Sequence, residues 1–144
     1  MQCSCIKPAK IPNILFYHPE KTHNYRMIDL KKAVCIGEMS AAKRNELFLE
    51  SLYIDPKFRR QGYGNKFLDF AVKISETMGL DGNLRLLASL TTHDIKNPAH
   101  IFYRKYGFSS NDKETLTYID NCIKNNTQIN PMTAPTYMFY RNEH

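Results

Sequence analysis

The chain contains no tryptophan, only six glycines, and four cysteines without a metal-binding arrangement. The thin cysteine content excludes a disulfide scaffold. Zinc sites use Cys-x₂₋₄-Cys pairs in partnership, and here only Cys3 and Cys5 lie close in sequence. No metal site is expected. Cys35 falls within an apolar run and is expected as a buried thiol. No apolar stretch approaches the roughly 18 residues that span a bilayer. The opening Met1-Gln2-Cys3-Ser4 has no apolar leader segment, so a cytoplasmic location is expected. There is no Gly-Lys-Ser/Thr phosphate loop, no third glycine for a dinucleotide fingerprint (Phe67 occupies that position), and no G-x-S-x-G nucleophile turn.

At 144 residues with 42% apolar content, the chain is long enough for a proper core, and residues 1–144 read as a single domain. A net charge of +6 suits an anionic ligand. The charges are dispersed, no helix-turn-helix, RRM or KH pattern occurs, and the aromatics are not interleaved with a basic stripe. A nucleic-acid partner is therefore not expected.

Residues 1–12 show no periodicity and read as a loose arm. Short apolar or alternating runs predict strands at Ile14–Tyr17, Tyr25–Leu30, Val34–Met39, Glu46–Ile54, Leu84–Leu90 and Tyr137–Tyr140. Along the fourth of these, strict alternation places Phe48, Glu50, Leu52 and Ile54 on one face. The best helix signal runs from Asn65 to Met78. Phe67, Ala71, Ile74 and Met78 form an apolar stripe there, opposite Lys66, Asp69, Lys73 and Glu76, with Gly79 as a left-handed cap. A second helix is predicted from Asn97, as cap, and Pro98 to Gly107, and a third from Lys113 to Lys124.

The segment Arg59-Arg60-Gln61-Gly62-Tyr63-Gly64 lies between a strand and the first helix. Strand, glycine-bearing basic loop and helix present free N–H groups and a positive helix end to an anion. Glycine admits close approach and unusual φ, and arginine grips phosphate through two parallel hydrogen bonds. The loop is expected to hold a pyrophosphate.

This loop resembles the R/Q-x-x-G-x-G/A signature of the GNAT superfamily of N-acetyltransferases. Leu49-Glu50-Ser51-Leu52-Tyr53-Ile54-Asp55-Pro56 before it resembles the family's fourth strand. Ala99 to Phe108 after it resembles its second motif, ending Tyr-x-x-x-Gly-Phe. The resemblance covers residues 25 to 108. It implies an α/β (α+β) fold: a mostly antiparallel, twisted sheet of six to seven strands, with a parallel central pair splayed around acetyl-CoA and flanking helices. The family's N-terminal helices have no room between His18 and Asn24, which leaves the acceptor side open or completed by a second subunit in a homodimer.

By the same resemblance, acetyl-CoA is the cosubstrate. Leu52, Tyr53 and Ile54 would meet its pantetheine arm, with an N–H near Leu52 polarising the thioester carbonyl. Arg59, Arg60, Gln61, Gly62, Tyr63, Gly64 and Asn65 would hold its pyrophosphate, and Asn97 would contact the pantetheine. Tyr103 would protonate the leaving thiolate, as a phenol protonated at neutral pH can. Glu50, sharing a face with Leu52, is the first candidate for general base, ahead of Glu46, His93 and His100. His18, His23 and His144 fall in loop or terminal contexts. The activity implied is acetyl transfer to a primary amine in a ternary complex. The alternative is a coenzyme A-holding module that has lost catalysis.

Overall fold

The computed structural model describes residues 2–4, 13–89, 99–130 and 132–142. These residues fall into two compact units, Met1–Gly82 and Asn83–His144.

The first unit is an antiparallel meander followed by a helix. Its strands are β1 (Gln2–Ser4), β2 (Ile14–His18), β3 (Asn24–Asp29), β4 (Val34–Lys43) and β5 (Leu47–Ile54), each paired with the next. A single 3-10 turn, Pro56–Phe58, leads to α1, Tyr63–Thr77. The apolar period of α1 buries Phe67, Leu68, Phe70, Ala71 and Ile74. Phe70 stacks on Phe16 of β2 at 4.1 Å between ring centroids, and Tyr25 of β3 meets Phe70 edge-on at 5.9 Å. A fully buried side chain of this size contributes about 1.5–3 kcal/mol through removal from water. The helix ends in a Schellman arrangement, with Gly79 N–H on the Glu76 carbonyl and Leu80 N–H on the Ser75 carbonyl. Gly79 takes φ +77°, as its expected cap role requires.

Two slips in register change which residues face the core. Between β3 and β4, Met27 stands opposite Gly37 but Ile28 stands opposite Cys35, so Ile36 has no partner. Ile36 is buried and Cys35 is exposed, its thiol donating to the Gly37 carbonyl at 3.4 Å. This corrects the expectation of a buried Cys35. Between β4 and β5, Ser40 pairs with Ser51 and Ala41 with Leu49, which makes Glu50 the extra residue of a β-bulge.

Other boundaries also differ from expectation. Gln2–Ser4 is a strand rather than part of a loose arm, because it pairs with Phe16–His18. β4 runs on to Lys43, so the hairpin turn is shorter and closes with Arg44 N–H on the Glu46 carbonyl.

The second unit pairs β6 (Leu84–Ala88) with β7 (Thr136–Tyr140), antiparallel, and adds α2 (Ala99–Tyr106) and α3 (Lys113–Asn125). Asp112 caps α3 by accepting from the Thr115 N–H at 3.1 Å. Arg104 ties α2 to α3 with Nε on Asp120 Oδ1 at 2.8 Å and Nη2 on Oδ2 at 3.2 Å. Leu84, Leu86, Phe108, Ile119 and Met138 form its core.

Candidate active site

In the first unit, β5 and the loop after it are joined by their own polar groups. Asp55 donates its N–H to the Ile36 carbonyl at 2.8 Å and accepts from the Lys57 N–H at 2.9 Å. Arg59 turns back, its Nε donating to the Ile54 carbonyl at 2.8 Å and its guanidinium lying 5.5 Å from the Tyr53 ring centre. Arg59 therefore braces the loop against the strand, whereas Arg60 projects outward at φ +63°. Gln61 Nε2 donates to the Lys57 carbonyl at 3.3 Å. Tyr63 sets its ring edge-on to Phe58 at 6.2 Å.

Gly62 precedes α1 at φ +85°, ψ 4°, and a Cβ built there would find nothing within 4 Å. The glycine is needed for its left-handed backbone, and the space in front of it is open. Gly64 is helical, so of the two loop glycines only Gly62 supplies an unusual φ. The first intrahelical bond of α1 runs from Lys66 N–H to the Gly62 carbonyl at 3.2 Å. The N–H groups of Tyr63, Gly64 and Asn65 precede it and have no intrahelical acceptor. Their positive end suits a diphosphate.

Gly37 of β4 went unnoticed in the sequence. A Cβ there would stand 2.5 Å from the Tyr53 carbonyl oxygen and 2.8 Å from Ile54 Cδ1. Glycine in a strand interior is the available signal for such an approach. It lets β4 press against the end of β5 where the loop begins.

The bulge corrects the face assigned to Glu50. Met39 pairs with Leu52 and Ala41 with Leu49, so Leu49 and Leu52 share a face. Glu50 instead accepts from Ser40 Oγ at 2.8 Å and has His23 Nδ1 at 3.4 Å from the same oxygen. Leu52 and Ile54 are half-buried, and Tyr53 is exposed. Glu46 lies in the turn before β5, away from this cluster in sequence and register.

In the second unit, Tyr103 is 9% exposed, and its ring packs on Phe108 at 5.3 Å. The contact follows from local geometry. Gly107 at φ +127° donates to the Arg104 carbonyl at 3.1 Å, and Phe108 N–H to the Tyr103 carbonyl at 3.0 Å. This is again a Schellman end, and its accompanying apolar contact is the Tyr103–Phe108 pair. The Tyr-x-x-x-Gly-Phe spacing thus has a structural cause. Burial pushes the Tyr103 phenol up to about 12. His100, one turn earlier, is fully buried; no well-formed hydrogen bond reaches either ring nitrogen among the described residues, and the Ala134 backbone is the group near enough to favour its protonated form. Burial pushes its imidazole below the ordinary histidine range. Asn97 and His93 lie outside the described residues. Among the described residues no group of His, Cys, Asp and Glu could hold a metal ion, and no helix is long and apolar enough to cross a membrane.

The comparisons with known proteins agree with this geometry. Residues 25–110 match the model of the acetyltransferase (GNAT) domain. Among curated proteins none matches significantly. Among solved structures, the chain is similar to nourseothricin acetyltransferase, with a TM-score of 0.56 and 17% identity over 90% of this chain and 65% of that one. It is similar to a putative streptothricin acetyltransferase from Bacillus anthracis str. Ames in complex with acetyl coenzyme A (0.57, 18%, 92% and 64%). It is also similar to the PaiA N-acetyltransferase from Thermoplasma acidophilum in complex with coenzyme A (0.56, 18%, 83% and 60%). At these identities the likeness is one of fold, and it is the α/β fold that the sequence implies. The chain spans less than two thirds of the length of each of the three.

Proposed function

The chain belongs to the GNAT acetyltransferase family, and on that footing we propose that it transfers an acetyl group from acetyl-CoA to a primary amine by direct attack in a ternary complex. One observation carries the substrate: the open space before Gly62, faced by N–H groups that α1 leaves without an acceptor. A diphosphate brings acceptor oxygens and negative charge to that place, and the residues present fit it. Arg60 adds a cation from the loop rim, while Arg59 and Gln61 keep the loop in shape.

The family's residue roles then fall as follows. The strand groups at Leu52, Tyr53 and Ile54 run along the pantetheine arm, and a backbone N–H there polarises the thioester carbonyl, whose oxygen becomes negative during attack. Tyr103, held protonated by burial, gives its proton to the departing sulfur. The basic side of the reaction falls at the bulge, beside Glu50. The family match runs from Tyr25 through Ser110, across the boundary between the two units, which supports reading the chain as one catalytic domain.

A second reading, a coenzyme A-holding module without catalysis, draws on the connection between β2 and β3. Residues 19–23 contain no helix that could build an acceptor wall. Calorimetric titration with acetyl-CoA tests the site: heat of binding and a thermal shift are expected, and their absence overturns it. Thiol release with a panel of amines then separates the two readings, since the module would bind and release none.

A further inference from the structure

Resting on the transferase reading, we infer that His23 is the group that takes the acceptor's proton, and that Glu50 and Ser40 position it. The sequence places His23 in an unremarkable loop. Tertiary structure sets it over the bulge. Its carbonyl accepts from the Ala41 N–H of β4 at 2.9 Å. The loop behind it is closed by Thr22 Oγ1 donating to the Pro19 carbonyl at 2.9 Å and by the His18 ring nitrogen Nε2 donating to the Thr22 carbonyl at 2.7 Å. His18 is further held by stacking on Tyr25 at 4.2 Å. The backbone at His23 therefore has little freedom.

The side chain is aimed in turn. Nδ1 lies 3.4 Å from Glu50 Oε1, and the same oxygen accepts from Ser40 Oγ at 2.8 Å. A carboxylate facing Nδ1 keeps the proton there and leaves the lone pair on Nε2. With 64% of the His23 side chain open to solvent, Nε2 is accessible to a substrate. The charged group against the imidazole is Glu50 of β5, which Ser40 of β4 holds from its other side, while His18 Nε2 is engaged by the Thr22 carbonyl.

Position supports the role. Glu50 is two residues before Leu52, about 7 Å along a strand, and Leu52 is where the family places the thioester carbonyl. The bulge makes Glu50 the unpaired residue of β5, so its carboxylate meets the β2–β3 connection instead of lying flat on the Leu52 face. Alone, Glu50 is a solvated carboxylate already engaged by Ser40. Through His23 it orients an imidazole nitrogen whose lone pair can take the acceptor's proton.

The proton balance is simple. The ammonium form of the acceptor loses one proton to His23 Nε2. The freed lone pair forms the C–N bond, and the C–S bond breaks with its electrons leaving on sulfur. The departing sulfur takes the Tyr103 proton to become the free thiol, and the adduct nitrogen sheds its second proton, which returns to Tyr103 through water. The proton on His23 then passes to water.

The test measures thiol release from acetyl-CoA with the fastest of three amines: 1,4-diaminobutane, Nα-acetyl-lysine amide and an alanine-initiated pentapeptide. kcat/KM is measured against pH for wild type and for His23→Gln. His23→Gln should lower kcat at least about tenfold, the low end for a general base, and move the rise of kcat/KM to the more alkaline range where the acceptor is itself the free amine, with KM for acetyl-CoA unchanged. Nitrogen-detected NMR should show His23 protonated at Nδ1, and Glu50→Gln should mix the tautomers. A His23→Gln protein with the wild-type pH profile overturns the inference. So does an Nε2-protonated ring that Glu50→Gln does not alter. If the wild type binds acetyl-CoA but releases no thiol with any amine, the transferase reading falls, and the tautomer measurement still decides the His23–Glu50 pairing.

Discussion

The loop before α1 and the helix α2 treat polar groups in opposite ways. The loop spends its polar side chains on itself: Asp55, Arg59 and Gln61 all hold backbone groups of the same segment. What remains without an acceptor within the helix is a row of helix-end N–H groups beside an exposed Arg60. In α2, Tyr103 and His100 are buried, and both carry ionisation shifts toward their neutral forms. On the proposed reading the contrast matches two tasks. Holding an anion calls for exposed donors fixed in advance. Keeping a proton ready for a sulfur calls for a phenol that stays neutral, which desolvation secures.

The largest effect should come from the loop. Gly62→Glu forces a side chain into φ +85° and places a carboxylate in the open space. Calorimetry should show acetyl-CoA affinity falling by about a hundredfold or more, as loss of several charge-assisted hydrogen bonds predicts. Far-ultraviolet circular dichroism should stay that of wild type. Normal binding would remove the loop from the site.

Tyr103→Phe comes next, with kcat lowered at least about tenfold and acetyl-CoA binding kept, measured by thiol release and calorimetry on the same preparation. Because burial holds the phenol at about 12, its acid form persists through the alkaline range, and no falling limb from Tyr103 should appear below about pH 11. An unchanged rate would leave Tyr103 as a packing partner of Phe108 only.

Arg60→Ala should weaken acetyl-CoA binding about fivefold, near 1 kcal/mol, without lowering Tm. Arg59→Ala should lower Tm instead, because it loses the bond to the Ile54 carbonyl. The reverse outcome would exchange their roles.

The smallest change concerns His100. Its folded-state ionisation lies below the unfolded value near 6.5, so the unfolded chain binds the extra proton first on acidification. Stability should therefore decline as pH falls below about 6.5 and level off below the folded-state value. His100→Leu should remove this part of the decline, and at pH 5.5 its Tm should exceed that of wild type, since it also removes two buried nitrogens that lack a well-formed hydrogen bond among the described residues. Parallel Tm curves against pH for the two proteins would show that His100 has found its partners.

Much of this was legible from residue order. The stripe of Phe67, Ala71 and Ile74, the span of α3 and the Gly107 stop depend on neighbours within four residues, so they can be read along the chain. The face of Glu50 and the exposure of Cys35 could not. Each follows from a slip between paired strands, and alternation along one strand carries no mark of where its partner skips a residue. Gly37 was readable only as an oddity, because the carbonyl it accommodates belongs to Tyr53, sixteen positions later.

By itself the sequence determined the helices and most strands, the glycine-bearing loop before α1 and the family to which the chain belongs, because these rest on short-range periodicity and backbone conformation. Tertiary structure alone decided that His23 meets Glu50, that Arg59 braces while Arg60 projects, and that His100 is shut away from water. Those outcomes depend on register and packing between segments far apart in the chain, where a shift of one residue turns a side chain to the opposite face.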